Sequence, residues 1–143
     1  DNRHSWLACT DSLPDMPRLC RALSPHWNRL RLETPRLVAG DYTTSGLSMR
    51  NQIVSYAGKR ICLLSDNRWR NKSSSPPLSV DYLYVSKGYQ GGIEELTSLF
   101  SMGMVVLDAS RSDYYQNKIA NDCVRLGIPY LLLSQKGSYR ILL

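Results

Sequence analysis

The sequence predicts an α/β fold, a layered sheet with flanking helices. β-prone apolar runs alternate with helical patterns along the second half of the chain, which is the order that builds a sheet covered by helices. A chain of 143 residues with 43% hydrophobic composition also suffices for one core. We therefore expect one domain over residues 1–143, and its unpunctuated start suggests a domain excised from a larger protein.

The first part of the chain predicts two strands around one helix. Residues 4–10 and 37–42 are β-prone runs and are predicted strands. Between them, residues 15–32 place apolar side chains at spacings of three and four, which predicts an amphipathic helix. Pro17 suits the first turn of this helix, whereas Pro25 is expected to kink or restart it.

Turn formers divide the middle of the chain. Residues 43–48 are predicted to form a loop. The runs 52–56 and 60–65 flank a short connection that contains a glycine, which predicts a hairpin. The polar stretch 71–77 ends in two prolines and is a predicted loop.

The remaining segments alternate between the two kinds of element. Strands are predicted at 80–86, 104–109, 129–134 and 138–143, and helices at 93–100 and 112–126. The second helix has Ser112 as its N-cap and Gly127 after its last turn. An apolar stripe along it is predicted to face the sheet. The stripe consists of Tyr115, Ile119, Cys123 and Leu126.

Composition narrows the classes of function. The net charge is +6, and arginine supplies most of the positive charge. This charge suits nucleic acid or an anionic membrane surface as a partner, and it equally suits an ordinary solvated basic surface. No apolar run approaches the ~20 residues that span a bilayer.

The cysteines do not form a metal motif. Cys9, Cys20, Cys62 and Cys123 include no Cys-x-x-Cys pair, and the chain has only 2 histidines, which argues against a zinc finger. Each cysteine has apolar neighbours, which favours buried free thiols. The sequence alone also allows a disulfide between two of these cysteines.

Three motifs in residues 59–143 together resemble a known family. They are the strand end Leu63-Leu64-Ser65-Asp66, the strand and turn at 81–89, and the closing hairpin at 127–142. The set resembles the C-terminal, metallo-β-lactamase-like domain of ComEC-type competence proteins, the DNA-uptake channels of the inner membrane. Residues 1–48 share the resemblance only weakly. The resemblance implies a truncated metallo-β-lactamase-like (αββα) sandwich outside the membrane, partnered by the membrane channel domain of the same polypeptide in the inner (cytoplasmic) membrane.

The metal-binding motifs of that family are absent or altered. No His-x-His-x-Asp-His motif occurs, and the His-His pair of the later turn is replaced by Ser86-Lys87. Only Asp66 lies where the resemblance implies a metal-bridging carboxylate. A hydrolytic metal site needs several protein ligands and an open position for water. We therefore predict no metal, no cofactor and no catalytic residue, with Asp66 either a vestigial metal position or a turn former.

A basic and aromatic stretch supplies candidate nucleic-acid contacts. The candidates are Arg68, Trp69, Arg70, Lys72 and Lys87. The cations would contact phosphates and the indole would stack on an unpaired base. A solvated loop with the indole at the core edge is the alternative. The glycines after Lys87 allow either a phosphate cradle or a plain tight turn.

The function predicted from the sequence is a non-catalytic, extramembrane domain of a DNA-uptake channel protein. Its role would be structural, or a weak contact with single-stranded DNA. One alternative is a residual metal-dependent nuclease or phosphoesterase that gathers ligands from elsewhere in the parent protein. The other is a module that docks a protein partner or anionic lipid.

Overall fold

The computed structural model describes residues 4–8, 15–38 and 40–141. Its strands are β1 (Trp6–Ala8), β2 (Arg36–Val38), β3 (Tyr42–Thr43), β4 (Leu47–Arg50), β5 (Ile53–Tyr56), β6 (Lys59–Leu64), β7 (Leu78–Val85), β8 (Phe100–Leu107) and β9 (Tyr130–Leu132). Its helices are α1 (Met16–Arg29), α2 (Asp113–Leu126) and the single turn α3 (Leu133–Lys136).

Two sheets form, and the larger one positions the site. β1 and β2 pair in parallel, with α1 as the crossover between them. The other seven strands form one sheet in chain order, antiparallel from β3 to β6 and parallel from β6 to β9. The carboxyl ends of β6, β7 and β8 therefore meet at one edge. The layered α/β prediction is confirmed, and the narrower metallo-β-lactamase-like sandwich stays a prediction.

The two faces of the larger sheet contribute to two different hydrophobic cores. Strand register puts Cys62, Leu83 and Val105 on one face, in the main core with Ile119 of α2. The opposite face of the first strands carries a second, smaller core with β1 and β2. Its members are Val38, Leu47 and Met49, with Trp6, Tyr42, Val54 and Leu63 packed against them.

Helix α2 confirms its sequence prediction. The Ser112 side chain accepts a hydrogen bond from the backbone N–H of Tyr115, and Gly127 closes the helix at φ 66°. Ile119 and Cys123 are fully buried in the main core. Tyr115 and Leu126 are half-buried against the same core, so the predicted stripe faces the sheet.

The first part of the chain differs from its predictions at four places. The expected strand 37–42 is two strands, β2 and β3, that belong to different sheets. The expected loop 43–48 contains the turn into β4, where Leu47 and Met49 alternate with polar residues and are buried. The helix does not restart at Pro25, because α1 continues through this residue to Arg29. The predicted strand 4–10 begins later, as β1, and its last residues lie outside the described ranges.

The second part differs where local patterns compete with strand pairing. The expected helix 93–100 is a short 3₁₀ turn at Glu94–Leu96, because Phe100 already starts β8. The expected strand 129–134 ends at Leu132 and continues as α3. Residues 138–141 form no strand, and the last two residues of the predicted strand 138–143 lie outside the described ranges.

The three cysteines that the structure describes are free thiols, as the sequence predicts. Cys62 and Cys123 are buried and free, and Cys20 is half-buried and free. Burial raises the pKa of Cys62 to about 12 and that of Cys123 to about 11. Both thiols are therefore protonated at neutral pH. Cys9 lies outside the described residues.

Candidate functional site

The site is built from the turns that follow β6 and β7. These strands are parallel neighbours, so both turns leave the sheet at the same edge. The backbone N–H and the hydroxyl of Ser86 each donate to the carbonyl of Leu64, both at 3.0 Å. The backbone N–H of Gln90 donates to Asn67 Oδ1 at 2.9 Å. The two turns singled out from the sequence are thus joined directly.

Gly88 makes this close approach of the turns possible. A Cβ atom at this position would lie 1.6 Å from the carbonyl oxygen of Ser65. The neighbouring atoms are backbone, so a side chain could not be accommodated by a rotamer change. The glycine is required here by the distance between two backbone segments.

The Asp66 carboxylate is held by Arg68. Arg68 Nε lies 2.9 Å and Nη2 lies 2.7 Å from Asp66 Oδ2, and the backbone N–H of Arg68 lies 2.9 Å from Oδ1. Gln52 Nε2 donates to Oδ2 from 3.2 Å. The hydrogen bond from Arg68 is the main reason that the pKa of Asp66 is lowered. Both carboxylate oxygens are therefore engaged by donors at neutral pH.

This arrangement does not fit a metal ion at Asp66. A metal would have to displace the guanidinium of Arg68 from oxygens that it already binds. The next turn presents Lys87 where the resemblance implies a ligand. Within the described residues, no group of three His, Cys, Asp or Glu side chains could hold a metal ion.

Arg70 is the second arginine of the stretch that is paired. Its Nε lies 3.2 Å from Glu95 Oε2, while the Tyr89 hydroxyl donates to Glu95 Oε1 at 2.7 Å. Burial opposes ionisation of Glu95, but the hydrogen bonds from Tyr89 and Arg70 leave its pKa below the usual value. Arg70 thus ties the loop after β6 to the segment before β8.

The Trp69 ring lies at the edge of the main core. Its centroid is 5.7 Å from that of Phe100 in an edge-on contact, and the side chain is half-buried. The indole Nε1 is buried and has no hydrogen-bond partner among the described residues. Lys72 Nζ lies 5.5 Å from the ring centroid. The structure therefore places Trp69 where the core-edge alternative put it.

The lysines differ from Arg68 and Arg70 because no carboxylate of the described residues pairs with them. Lys72 and Lys87 are exposed, and neither forms an ion pair in the described part of the chain. The backbone carbonyl of Lys87 accepts a hydrogen bond from the guanidinium of Arg111. Arg111 also lies 3.3 Å from the centroid of the Tyr115 ring. The turn that carries Lys87 is thereby fixed to the start of α2.

An open polar cleft of about 590 Å³ brings part of the predicted set together. It is lined by Asn51, Asp66, Asn67, Arg68, Trp69 and Lys72. Arg70 and Lys87 do not line it. The lining combines two cations and two amides with one carboxylate, and the cations and amides are groups that can bind a phosphate.

The sequence patterns did not point to three residues of this site. Gln52, Glu95 and Arg111 each hold one of the predicted side chains or turns. Gln52 and Glu95 are distant along the chain from their partners, so local patterns gave no signal. Arg111 lies beside a recognised N-cap, and its role depends on where the turn after β7 ends.

The fold and the site together define a layered α/β domain with a cationic turn region at the carboxyl edge of its parallel strands. The sequence model of the ComEC C-terminal domain matches residues 1–143. The chain therefore belongs to the ComEC C-terminal domain family, which confirms the competence assignment and a role in DNA uptake. A search of curated proteins and a search of solved structures found no match.

Family membership indicates that the parent is a membrane protein. In the ranges that the structure describes, no helix is long and apolar enough to cross a bilayer. Single-stranded DNA and the membrane channel domain of the same polypeptide stay predicted partners.

Proposed function

We propose that this domain is a non-catalytic, extramembrane part of a DNA-uptake channel protein that contacts single-stranded DNA weakly at the cleft. Two turns at the carboxyl edge of the parallel strands form the contact region, which is where open α/β sheets bind ligands. The membrane channel domain of the same polypeptide is the proposed structural partner.

The position of Arg68 carries the non-catalytic part of the proposal. Its guanidinium binds both oxygens of the one carboxylate that could have started a metal site. A fixed cation stands where a hydrolytic metal would otherwise supply positive charge. This arrangement can attract a phosphate but offers no activated water.

The distribution of free charge identifies which side chains matter most for DNA. Arg68 and Arg70 are paired with carboxylates, so a phosphate would have to compete for them. Lys72 has no such competitor in the described residues and lies beside Trp69 at the mouth of the cleft. Lys87 presents a second charge from the adjoining turn, and it too forms no ion pair with any described residue. Both lysines therefore contribute more binding energy than the arginines.

We expect weak binding of single-stranded DNA that falls steeply with salt, because phosphate contacts release counterions. Replacing Lys72 and Lys87 together by glutamine should weaken binding. It should also reduce the slope of the logarithm of the binding constant against the logarithm of the salt concentration by roughly one per lost phosphate contact. Fluorescence anisotropy of a labelled oligonucleotide, titrated with the 143-residue chain across a salt series, measures both effects.

The matched control replaces Lys118 and Lys136, which are exposed and carry the same charge. If the control weakens binding as much as the cleft variant, the effect is one of net charge alone and the proposed site is wrong. Absence of binding by the unmodified chain at high micromolar concentration would leave only a structural role. Metal-dependent cleavage of the oligonucleotide would instead favour the nuclease alternative.

A further inference from the structure

Helix α1 carries a basic face that no part of the proposed function uses. Arg21 and Arg29 follow Arg18 by three and eleven residues, about one and three helical turns, so the three side chains lie on one face. All three are exposed. The opposite face carries Leu19, Leu23 and other apolar side chains that are half-buried. The helix is therefore amphipathic, with its arginines turned towards solvent.

The arginines of this region have no acidic partner in the structure. From Met16 to Leu32 the sequence contains no Asp or Glu. Within the described residues, no ion pair involves Arg18, Arg21 or Arg29, nor Arg31 and Arg36 that follow the helix. The first acidic residue after the helix, Glu33, is paired with His4 at 3.0 Å. Among the described residues, the five arginines between positions 18 and 37 therefore have no carboxylate partner, and Glu33 is the one acidic residue in this range.

Two exposed leucines are neighbours of arginines along the sequence of this region. Leu30, at the end of α1 and between Arg29 and Arg31, is 45% exposed. Leu37, next to Arg36, is 36% exposed. No apolar side chain of α1 belongs to either core of the described structure. Large apolar groups beside unpaired arginines suit a surface that offers both anionic headgroups and an apolar interior.

We propose that residues 18–37, here termed the arginine–leucine segment, dock on the surface of an anionic phospholipid bilayer. The arginines bind lipid phosphates, and Leu30 and Leu37 enter the interfacial layer. Single-stranded DNA would satisfy the arginines but would leave both leucines in water. Attachment to a membrane protein would hold the segment near headgroups at high effective concentration, so a weak intrinsic affinity is sufficient. This proposal does not rest on the DNA contact at the cleft.

The test is sedimentation of the 143-residue chain with vesicles made of equal parts phosphatidylglycerol and phosphatidylcholine. We expect binding that is lost on vesicles of phosphatidylcholine alone and at high salt. Replacing Arg18, Arg21 and Arg29 by glutamine should weaken binding by on the order of a hundredfold, because each cation near an anionic surface contributes separately. These side chains are exposed, so the variant should keep the thermal midpoint of the parent.

Two further variants distinguish lipid docking from an effect of net charge and from binding of DNA. The control triple variant Lys118→Gln, Lys136→Gln and Arg140→Gln removes the same charge from exposed positions elsewhere and should bind nearly as the parent does. Leu30→Ser with Leu37→Ser should weaken vesicle binding several-fold while leaving oligonucleotide binding unchanged. Equal loss in the two triple variants would overturn the proposal. So would failure to bind vesicles, or binding of an oligonucleotide but not of vesicles through the same arginines.

Discussion

Replacing Gly88 by alanine is expected to destabilise the domain by at least about 3 kcal/mol, or to prevent folding. The added methyl would lie 1.6 Å from the carbonyl oxygen of Ser65. Relief would require the turns after β6 and β7 to separate, which would strain the hydrogen bonds of Ser86 to Leu64. Chemical denaturation followed by circular dichroism measures the loss.

Gly46→Ala is the matched control for this substitution. A Cβ atom at Gly46 meets nothing within 4 Å, and the residue does not need a left-handed backbone. Its free energy of unfolding should stay within about 0.5 kcal/mol of the parent value. A Gly88→Ala protein as stable as the Gly46→Ala protein would show that the two turns are not in contact.

Replacing Ile119 by alanine should lower the free energy of unfolding by ~2–5 kcal/mol, as buried large-to-small changes do. Ile119 is fully buried where α2 packs on the main core. Val124 lies on the same helix but is 67% exposed, so Val124→Ala should change stability by less than about 0.5 kcal/mol. Similar effects of the two substitutions in a denaturation series would mean that α2 packs through another face.

The parallel half of the sheet and helix α2 could be predicted because local signals agreed there. Capping by Ser112, the glycine at 127 and a regular apolar stripe all specify the same helix. The strands that precede it are β-prone runs separated by clear turn formers. The two turns singled out from the sequence lie side by side, because parallel neighbours end at the same edge.

Elements that depend on distant partners were not predictable from local patterns. The spacing of Ile93 and Leu96 is helical, but pairing of Leu78 with Phe100 draws this segment into a strand after one short turn. Likewise β4 is only four residues long, and its pairing with β3 and β5 decides its conformation. Tertiary contacts override weak propensity in such short segments.

In the candidate site, too, the sequence predicts some features and leaves out those that depend on distant partners. The sequence located Asp66, Arg68, Trp69 and Lys72, which the structure gathers at one cleft. It could not show that Arg68 binds Asp66 or that Arg70 binds Glu95. Ion pairing depends on side-chain geometry, and the second pair joins residues 25 positions apart.

The central claim is that a fixed guanidinium replaces a catalytic metal at Asp66. Elemental analysis of the purified chain, dialysed after exposure to Zn²⁺ and Mn²⁺, tests it most directly. We expect no stoichiometric metal, because Arg68 already engages both oxygens of the Asp66 carboxylate. Lys87, on the neighbouring turn, adds a positive charge that repels a metal cation. About one or two ions per chain that are lost in the Asp66→Ala variant would contradict the account and indicate a hydrolytic centre.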